Sequence, residues 1–214
     1  MSLKLPNSQA LTIADPPPLR CCLLTGGSSR RMGTDKALLP HPDGGTWLSR
    51  TLQRLAALGE PITLCSGHPN HRRLAHRLQP SLGVPVVTTS EPESGQGPLH
   101  SLAHLMALHG GERLLLCPVD MPWLDERSLE VLRDSARLAL ERVHVADDGV
   151  RQQYLLGVYP ASAVLRRSLQ RWLAAGHRSM EGWLAQQAVS SVRLPAGALR
   201  NCNHPADWAA PTPG

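Results

Sequence analysis

Residues 20–36 read RCCLLTGGSSRRMGTDK, an apolar run followed by a loop rich in glycine and arginine. Its apolar run ends abruptly at Thr25 and two glycines, which is typical of a buried strand that leads into a loop. Glycines allow positive φ and bring backbone N–H groups close to a ligand, and successive N–H groups form an anion site. Two arginines and a lysine add positive charge, so the loop suits a nucleoside triphosphate. The residues concerned are Gly26, Gly27, Arg30, Arg31, Gly33 and Lys36.

The loop differs from two common phosphate-binding motifs. Thr34 and Asp35 follow Gly33 where a Walker A loop has Lys and then Ser or Thr, and the G-x-G-x-x-G dinucleotide pattern is absent. An alternative stays open from these residues alone. The stretch could be a glycine turn followed by a solvated basic face.

Size and composition narrow the class of protein. A chain of 214 residues with a net charge of +5 is typical of one α/β domain that handles anionic substrates. With no Phe and only two Tyr it lacks the aromatic platforms of many nucleic-acid binders, so we expect no nucleic acid partner. No apolar stretch approaches the roughly 20 residues of a membrane span, and the N-terminal residues show no apolar region of the kind found in signal peptides. Five cysteines without metal-ligand spacing indicate reduced thiols, so we expect a cytoplasmic protein.

Strand and helix patterns alternate along the chain, which predicts βαβ units and a mostly parallel sheet. The polar, proline-rich residues 1–18 are interpreted as a disordered tail, 19–209 as one domain and 210–214 as a frayed end. Strands are predicted over 21–24, 61–66, 84–89, 114–117, 143–146, 154–159 and 189–194. Helices are predicted over 47–58, 71–78, 99–109, 126–140, 161–174 and 180–187.

A carboxylate follows the fourth predicted strand, where Asp120 lies between Pro118 and Pro122. Parallel sheets bind ligands at the carboxyl ends of their strands, so this loop should meet the glycine loop and the residues after Thr89 at one edge. Mg²⁺ is commonly held by one or two carboxylates together with phosphate oxygens. We therefore predict Asp120 as a magnesium ligand; the alternative is that it caps the following segment.

Residues 24–36 resemble the L-A-G-G-x-x-x-R-M-G-x-D-K signature of the nucleotidyltransferases, most closely the MobA-like molybdenum cofactor guanylyltransferases. Thr25 replaces the usual alanine. Residues 117–122 resemble the family's C-D-M-P segment, with Val119 in place of Cys, and residues 97–99 resemble its G-P-L turn. By itself G-P-L is an ordinary way to start a helix.

The resemblance implies a single-domain, three-layer, Rossmann-like α/β fold that transfers GMP from GTP to molybdenum-bound molybdopterin and releases pyrophosphate. It assigns Mg²⁺ to Asp120 and the triphosphate and leaving pyrophosphate to Arg30, Arg31 and Lys36. The nucleotide contacts implied in this way are Leu24, Thr25, Gly26, Gly27, Gly33, Lys36, Thr89, Gly97 and Asp120.

The residues that help relatives to recognise the base match this sequence less closely than the other motifs do. Relatives often have an Asn after the second strand, where this chain has Cys65-Ser66-Gly67, and an Asp after the third, which falls near Thr89 with Glu91 close by. Cytidylyl transfer to molybdopterin and nucleotidyl transfer to a sugar phosphate therefore stay open. A further alternative is a binding module that lost turnover.

Residues 199–208 look like the family's F-x-N-x-N-T-P-E-D-L segment, which implies that Asn201 and Asn203 lie near the metal or the second substrate. The alternative is a turn with a helix cap. Arg151 and Gln153 are further candidates for the pterin. The implied partners are GTP and molybdenum-bound molybdopterin, with transient contacts to molybdopterin-handling proteins and molybdoenzymes.

The histidines offer no recognisable pairing with Ser or Cys in the sequence, and we interpret them as surface or packing residues. They are His68, His71, His76, His100 and His104.

Overall fold

A computed structural model describes residues 15–26, 35–91 and 97–202. Within these ranges strands and helices alternate as the sequence predicts. The strands are β1 Leu19–Leu24, β2 Ile62–Cys65, β3 Val86–Thr89, β4 Arg113–Pro118, β5 Val143–Asp147, β6 Gln152–Pro160 and β7 Val189–Arg193. The helices are α1 Trp47–Ala56, α2 Pro69–Leu82, α3 Pro98–Leu108, α4 Glu126–Ser135, α5 Ala163–Ala174 and α6 Met180–Leu184, and a one-turn 3-10 helix spans Lys36–Leu38.

The strands form one seven-stranded sheet in the order β3-β2-β1-β4-β6-β5-β7. All neighbours are parallel except where β6 pairs with β4 and β5, so the predicted mostly parallel sheet is confirmed. The chain runs outward from β1 to β3 and then returns to the other side of β1. Open α/β sheets bind ligands beside the carboxyl ends of the strands at such a reversal. The topology thus points to the edge between β1 and β4.

Helices cover both faces of the sheet, which gives the predicted three layers. Cys21 and Leu23 of β1 pack into the core that contains α1, α2 and α4, whereas Cys22 and Leu24 pack into the core that contains α3, α5 and α6. Because side chains alternate along a strand, a strand buried on both faces must be apolar at every position. This explains the unbroken apolar run over residues 21–24.

Three helices end three or more residues away from the sequence prediction, among them α6, which ends at Leu184. Helix α2 begins at Pro69 and continues through Pro80 to Leu82, where Gly83 with φ +69° ends it. Proline costs a helix one backbone hydrogen bond, and Pro80 lies within the last turn of α2. Helix α4 is shorter than predicted and ends at Ser135.

The cap of α4 decides one alternative that the sequence left open. Asp125 is its N-cap, and its carboxylate accepts a 2.7 Å hydrogen bond from the backbone N–H of Ser128. Asp120 lies five residues earlier and does not cap this helix. The capping interpretation of Asp120 is therefore wrong.

Strand β6 runs antiparallel because a tight turn joins it to β5. Residues 147–149 begin this turn: Gly149 has φ +92°, and the Asp147 carboxylate accepts a hydrogen bond from its N–H at 2.6 Å. The turn places the first residues of β6 at the same sheet edge as the carboxyl ends of β4 and β5.

The remaining sequence predictions concern the domain limits, the cysteines and membrane-spanning segments. The predicted domain limits at 18, 209 and 214 stay predictions, since residues 1–14 and 203–214 lie outside the described ranges. The five cysteines lie within those ranges, are thiols and are buried. No helix in the described part of the chain is long and apolar enough to cross a bilayer.

Candidate active site

The loops after β1, β2, β3 and β4 are linked by backbone hydrogen bonds at one edge of the sheet. The N–H of Thr25 donates to the carbonyl of Cys65 at 3.3 Å, and the N–H of Ser66 donates to the carbonyl of Thr89 at 2.9 Å. On the other side of β1, the N–H of Val119 donates to the carbonyl of Leu24 at 3.0 Å. The predicted convergence of these loops is confirmed.

The start of the glycine loop is crowded by a carboxylate. A Cβ atom added to Gly26 would lie 2.2 Å from Oε1 of Glu91, so the Glu91 side chain occupies the space above this glycine. Burial raises the pKa of Glu91 above its usual value. The predicted site residues Gly27, Arg30, Arg31 and Gly33 lie outside the described residues.

Lys36 and Asp120 both form hydrogen bonds to the segment that follows β7, at Cys202. The Lys36 ammonium donates to the carbonyl of Cys202 at 3.2 Å, and the N–H of Cys202 donates to the carbonyl of Asp120 at 2.9 Å. Burial raises the pKa of the Asp120 carboxyl, and the positive charge of Lys36 opposes that rise. The two residues predicted to matter most thus interact electrostatically within one site.

The loop that carries Asp120 is held in place through contacts to the carbonyl oxygen of Pro122. It accepts a 2.6 Å hydrogen bond from the Arg54 guanidinium and lies 2.9 Å from Nε2 of the buried His41. A charge-assisted hydrogen bond is stronger than a neutral one, so this contact fixes the position of the loop. Neither Arg54 nor His41 was singled out in the sequence, where nothing marks them as neighbours of Asp120.

The segment near the end of the described chain places an amide beside β6. Nδ2 of Asn201 donates to Oε1 of Gln153 at 3.4 Å, and Oδ1 of Asn201 is buried without a hydrogen-bond partner in the described part of the protein. Arg151 is exposed and lies near the Asp148 carboxylate at 3.9 Å. Asn203 lies outside the described residues, so only half of the predicted pair is placed.

The third strand and the helix after it supply the remaining predicted contacts. Oγ1 of Thr89 lies 2.8 Å from Nε2 of His104 on α3. Gly97, with φ +84°, is the N-cap of α3, and as a glycine it has no side chain to cap the first turn of that helix. Backbone N–H groups at a helix start that no cap satisfies can bind an anion or a polar ligand.

His71 contradicts the interpretation of the histidines as surface or packing residues. It is buried, and its Nδ1 lies 2.8 Å from Oγ of Ser66 while its Nε2 lies 2.7 Å from Oδ2 of Asp35. A serine, a histidine and an aspartate are therefore connected, although Ser66 is only 1% exposed and cannot reach a substrate as a nucleophile. The sequence gave no signal of this, because Asp35 and His71 are 36 positions apart.

Asp35, His68 and His71 also form a group whose nitrogen and oxygen atoms all lie within 4.8 Å of one another. Two imidazoles and a carboxylate are typical ligands of transition metals. The hydrogen bonds of these side chains decide between a metal site and a network of direct contacts.

Comparison with known proteins gives the family. The model of the MobA-like NTP transferase domain matches residues 21–191, which is most of the chain. The chain belongs to the MobA-like NTP transferase family. Among curated members it is 38% identical over 206 residues to a protein of Rhodopirellula baltica named probable molybdenum cofactor guanylyltransferase, covering 94% of this chain and 95% of that protein.

Solved structures of other nucleotidyltransferases share the fold of this MobA-like chain. Molybdopterin-guanine dinucleotide biosynthesis protein A from Archaeoglobus fulgidus superposes with a TM-score of 0.66 at 18% identity, covering 88% of this chain and 94% of that one. The 4-diphosphocytidyl-2C-methyl-D-erythritol synthase from Anaerococcus prevotii superposes with a TM-score of 0.67 at 11% identity, covering 90% and 95%. Since two proteins with such different names share it, the fold alone does not select the base or the acceptor.

Proposed function

We propose that this MobA-like protein transfers GMP from GTP to the phosphate of molybdenum-bound molybdopterin, giving the guanine dinucleotide cofactor and pyrophosphate. The observation that carries the proposal is the meeting of Lys36 and Asp120, through Cys202, beside the ends of β1 and β4. The similarity over nearly the full length to a protein named as a probable molybdenum cofactor guanylyltransferase supports this substrate pair.

The residues present suit a reaction that needs positioning and charge neutralisation more than a covalent nucleophile. Lys36 binds the triphosphate, and Arg30 and Arg31, which precede it in the same loop, hold the leaving pyrophosphate. The attacking phosphate of molybdopterin is already ionised, so no general base is needed. This agrees with the burial of Ser66, whose hydroxyl faces His71 and the backbone of His68 instead of the substrate edge.

Asp120 fits a magnesium ion. Its carboxylate is largely buried near a lysine, and burial disfavours its charge, so a cation beside it would relieve the cost of desolvation. Mg²⁺ takes oxygen ligands and completes its shell with waters and phosphate oxygens, so one carboxylate is enough. When bound, Mg²⁺ would neutralise charge on the phosphate oxygens during the transfer.

The base is proposed to be guanine, recognised near Thr89 and Glu91. A carboxylate can accept hydrogen bonds from two neighbouring N–H donors, which guanine offers on one edge and cytosine does not. Glu91 lies directly above Gly26, at the point where the glycine loop starts. It thus takes the place of the aspartate that relatives carry after the third strand.

The pterin is proposed to bind on the other side of Asp120. Asn201 presents a buried carbonyl oxygen without a partner among the described residues, next to Gln153 at the start of β6. Such an orphaned acceptor is costly unless a ligand or water donates to it. Asn203, two positions further, is the proposed companion of Asn201 in this subsite.

The decisive experiment measures pyrophosphate release with molybdenum-loaded molybdopterin and Mg²⁺, using GTP and CTP in separate reactions. Release with GTP alone is expected. Preference for CTP would keep the mechanism and overturn the guanine assignment. Binding of GTP without release in the presence of Mg²⁺ would instead favour the binding module.

A further inference from the structure

The imidazole of His71 contacts both ends of the glycine loop. Thr25, at the start of the loop, has its Oγ1 3.2 Å from Nδ1 of His71, and Asp35, at its end, has its Oδ2 2.7 Å from Nε2. Residues 26–34 separate these two ends in the sequence. One buried side chain on the first turn of α2 therefore connects the first and last residues that flank the loop.

The proton positions in this network follow from its partners. A carboxylate only accepts, so the close contact with Asp35 places the proton of His71 on Nε2. Nδ1 is then an acceptor for the Ser66 hydroxyl at 2.8 Å, while Oγ of Ser66 accepts from the N–H of His68 at 3.1 Å. Burial lowers the pKa of His71, which keeps the ring neutral, although the neighbouring Asp35 opposes this shift.

The hydrogen bond between His71 and Asp35 affects the conformation of the neighbouring Lys36. Asp35 is the N-cap of the one-turn helix that begins at Lys36, and its other oxygen, Oδ1, accepts from the N–H of Ala37 at 3.1 Å. His71 and Ala37 thus hold the two carboxylate oxygens in one orientation. Because Lys36 is the next residue, the direction of its side chain depends on this cap.

The same hydrogen bonds argue against a metal ion among Asp35, His68 and His71. Nδ1 of His68 accepts from the N–H of Asn70 at 3.2 Å, which leaves the proton on Nε2, the nitrogen that faces Asp35 at 3.9 Å. A metal-binding nitrogen must carry no proton. The carboxylate and both rings already have partners that need no ion.

The Thr25 hydroxyl donates to the carbonyl of Cys65 at 3.2 Å, so its contact with Nδ1 is packing, and the hydrogen bond that His71 gives the loop is the one to Asp35. We propose that His71 is a positioning residue, which clamps the Asp35 carboxylate in place and thereby sets where Lys36 meets the triphosphate. The proposal rests on the proposed nucleotide site, although it does not depend on which base occupies that site. Within the described residues, the hydrogen-bond partners of His71 are near the glycine loop and include neither Asp120 nor Asn201, so its effect should fall on triphosphate binding more than on the transfer step.

Two substitutions of similar cost separate this role from simple packing. In His71→Gln the amide nitrogen can take the place of Nε2 and still donate to Asp35. In His71→Asn the shorter amide can take the place of Nδ1, beside Ser66, but cannot reach Asp35. Both remove the same buried ring, so they differ mainly in the contact that the proposal requires.

The experiment is a titration of each variant with Mg-GTP by calorimetry, without molybdopterin. We expect His71→Asn to raise Kd about tenfold, equal to about 1.4 kcal/mol at 25 °C, and His71→Gln to stay within about twofold of wild type. In the full reaction kcat should change less than about threefold in either variant. His144→Gln, which removes a buried histidine on β5 far from the loop, is the control and should leave Kd unchanged.

Asp35→Ala provides a second test that leaves His71 intact. It removes both the contact with His71 and the cap of Ala37, so it should raise Kd at least as much as His71→Asn, and adding His71→Asn to Asp35→Ala should change Kd little further, because the contact is already lost. Additive effects, or equal effects of His71→Gln and His71→Asn, would overturn the proposal. One equivalent of Zn²⁺ retained by the wild type and lost in both His71 variants would replace it with a metal centre.

The outcome for the wild type separates this proposal from the proposed function. If the wild type binds Mg-CTP and not Mg-GTP, the guanine assignment fails and the clamp is tested with CTP in the same way. A wild type that binds neither nucleotide would overturn both.

Discussion

The backbone N–H of Cys202 donates a 2.9 Å hydrogen bond to the carbonyl oxygen of Asp120. The carbonyl of Cys202 in turn accepts from the Lys36 ammonium at 3.2 Å, across 166 positions of sequence. A segment from the far end of the chain therefore joins the Lys36 side chain to the backbone of Asp120. Backbone atoms of Cys202 make both contacts, while its buried side chain packs in the core and anchors the segment there.

Replacing Asp120 by Asn should abolish transfer without unfolding the protein. We expect pyrophosphate release to fall about a thousandfold, since a metal-binding carboxylate contributes several kcal/mol of charge stabilisation. Burial raises the pKa of Asp120, so its charge costs stability at neutral pH and the neutral amide should unfold at an equal or higher temperature in EDTA. Asp134→Asn on the exposed face of α4 is the matched control. Near-normal turnover of Asp120→Asn with Mg²⁺ would remove the metal role.

Replacing Lys36 by Met should weaken binding of the triphosphate. Hydrogen bonds to charged groups contribute about 1.5–3 kcal/mol, so Kd for Mg-GTP should rise at least about tenfold. Calorimetry without molybdopterin measures this directly. Arg127→Met, which removes an exposed cation from α4, should have no effect. An unchanged Kd in Lys36→Met would contradict our interpretation of the loop.

Replacing Glu91 by Gln should reduce discrimination between GTP and CTP. The carboxylate offers two acceptors to guanine, whereas the amide offers one acceptor and a donor that meets another donor. We expect the ratio of kcat/KM for GTP over CTP to fall by about tenfold or more. Glu141→Gln, at an exposed position before β5, should keep the wild-type ratio. A wild-type ratio in Glu91→Gln would assign base recognition to other groups.

Acid should destabilise the protein through His144. Burial lowers the pKa of this ring below the usual 6.5, an effect strengthened by Arg142 and Arg113 and opposed by Glu141 and a hydrogen bond to the carbonyl of Arg142. Above the unfolded pKa both states are neutral. Below it the unfolded chain binds the proton more readily, so the free energy of unfolding falls as the pH drops from about 7 to about 5.5.

Urea denaturation at these two pH values tests the prediction with His144→Gln as the comparison. The variant should lose less stability on acidification than the wild type, because its amide does not titrate. His71 and His109, whose pKa values burial also lowers, remain in the variant, so some acid sensitivity should persist. Identical losses in the two proteins would show that His144 does not contribute.

Local patterns predicted the sheet, the family and two candidate site residues. The apolar run of β1 can only belong to a strand buried on both faces, and the glycines after it end the strand, so the fold class follows from neighbouring residues. Lys36 is part of the family signature. Asp120 follows a strand, and because the carboxyl ends of parallel strands lie at one edge of a sheet, its position beside the glycine loop could be predicted. These predictions needed no knowledge of which distant side chains touch.

The tertiary structure decided the contacts that hold these residues in place. The clamp of His71 on Asp35, the support of Pro122 by Arg54 and the insertion of Cys202 each join segments that are far apart in sequence. The sequence by itself determined which strands and loops form, because short-range periodicity and glycine conformation encode them. It did not determine these contacts, because they depend on the packing of α1 and α2 against the sheet and on the path of the chain after β7.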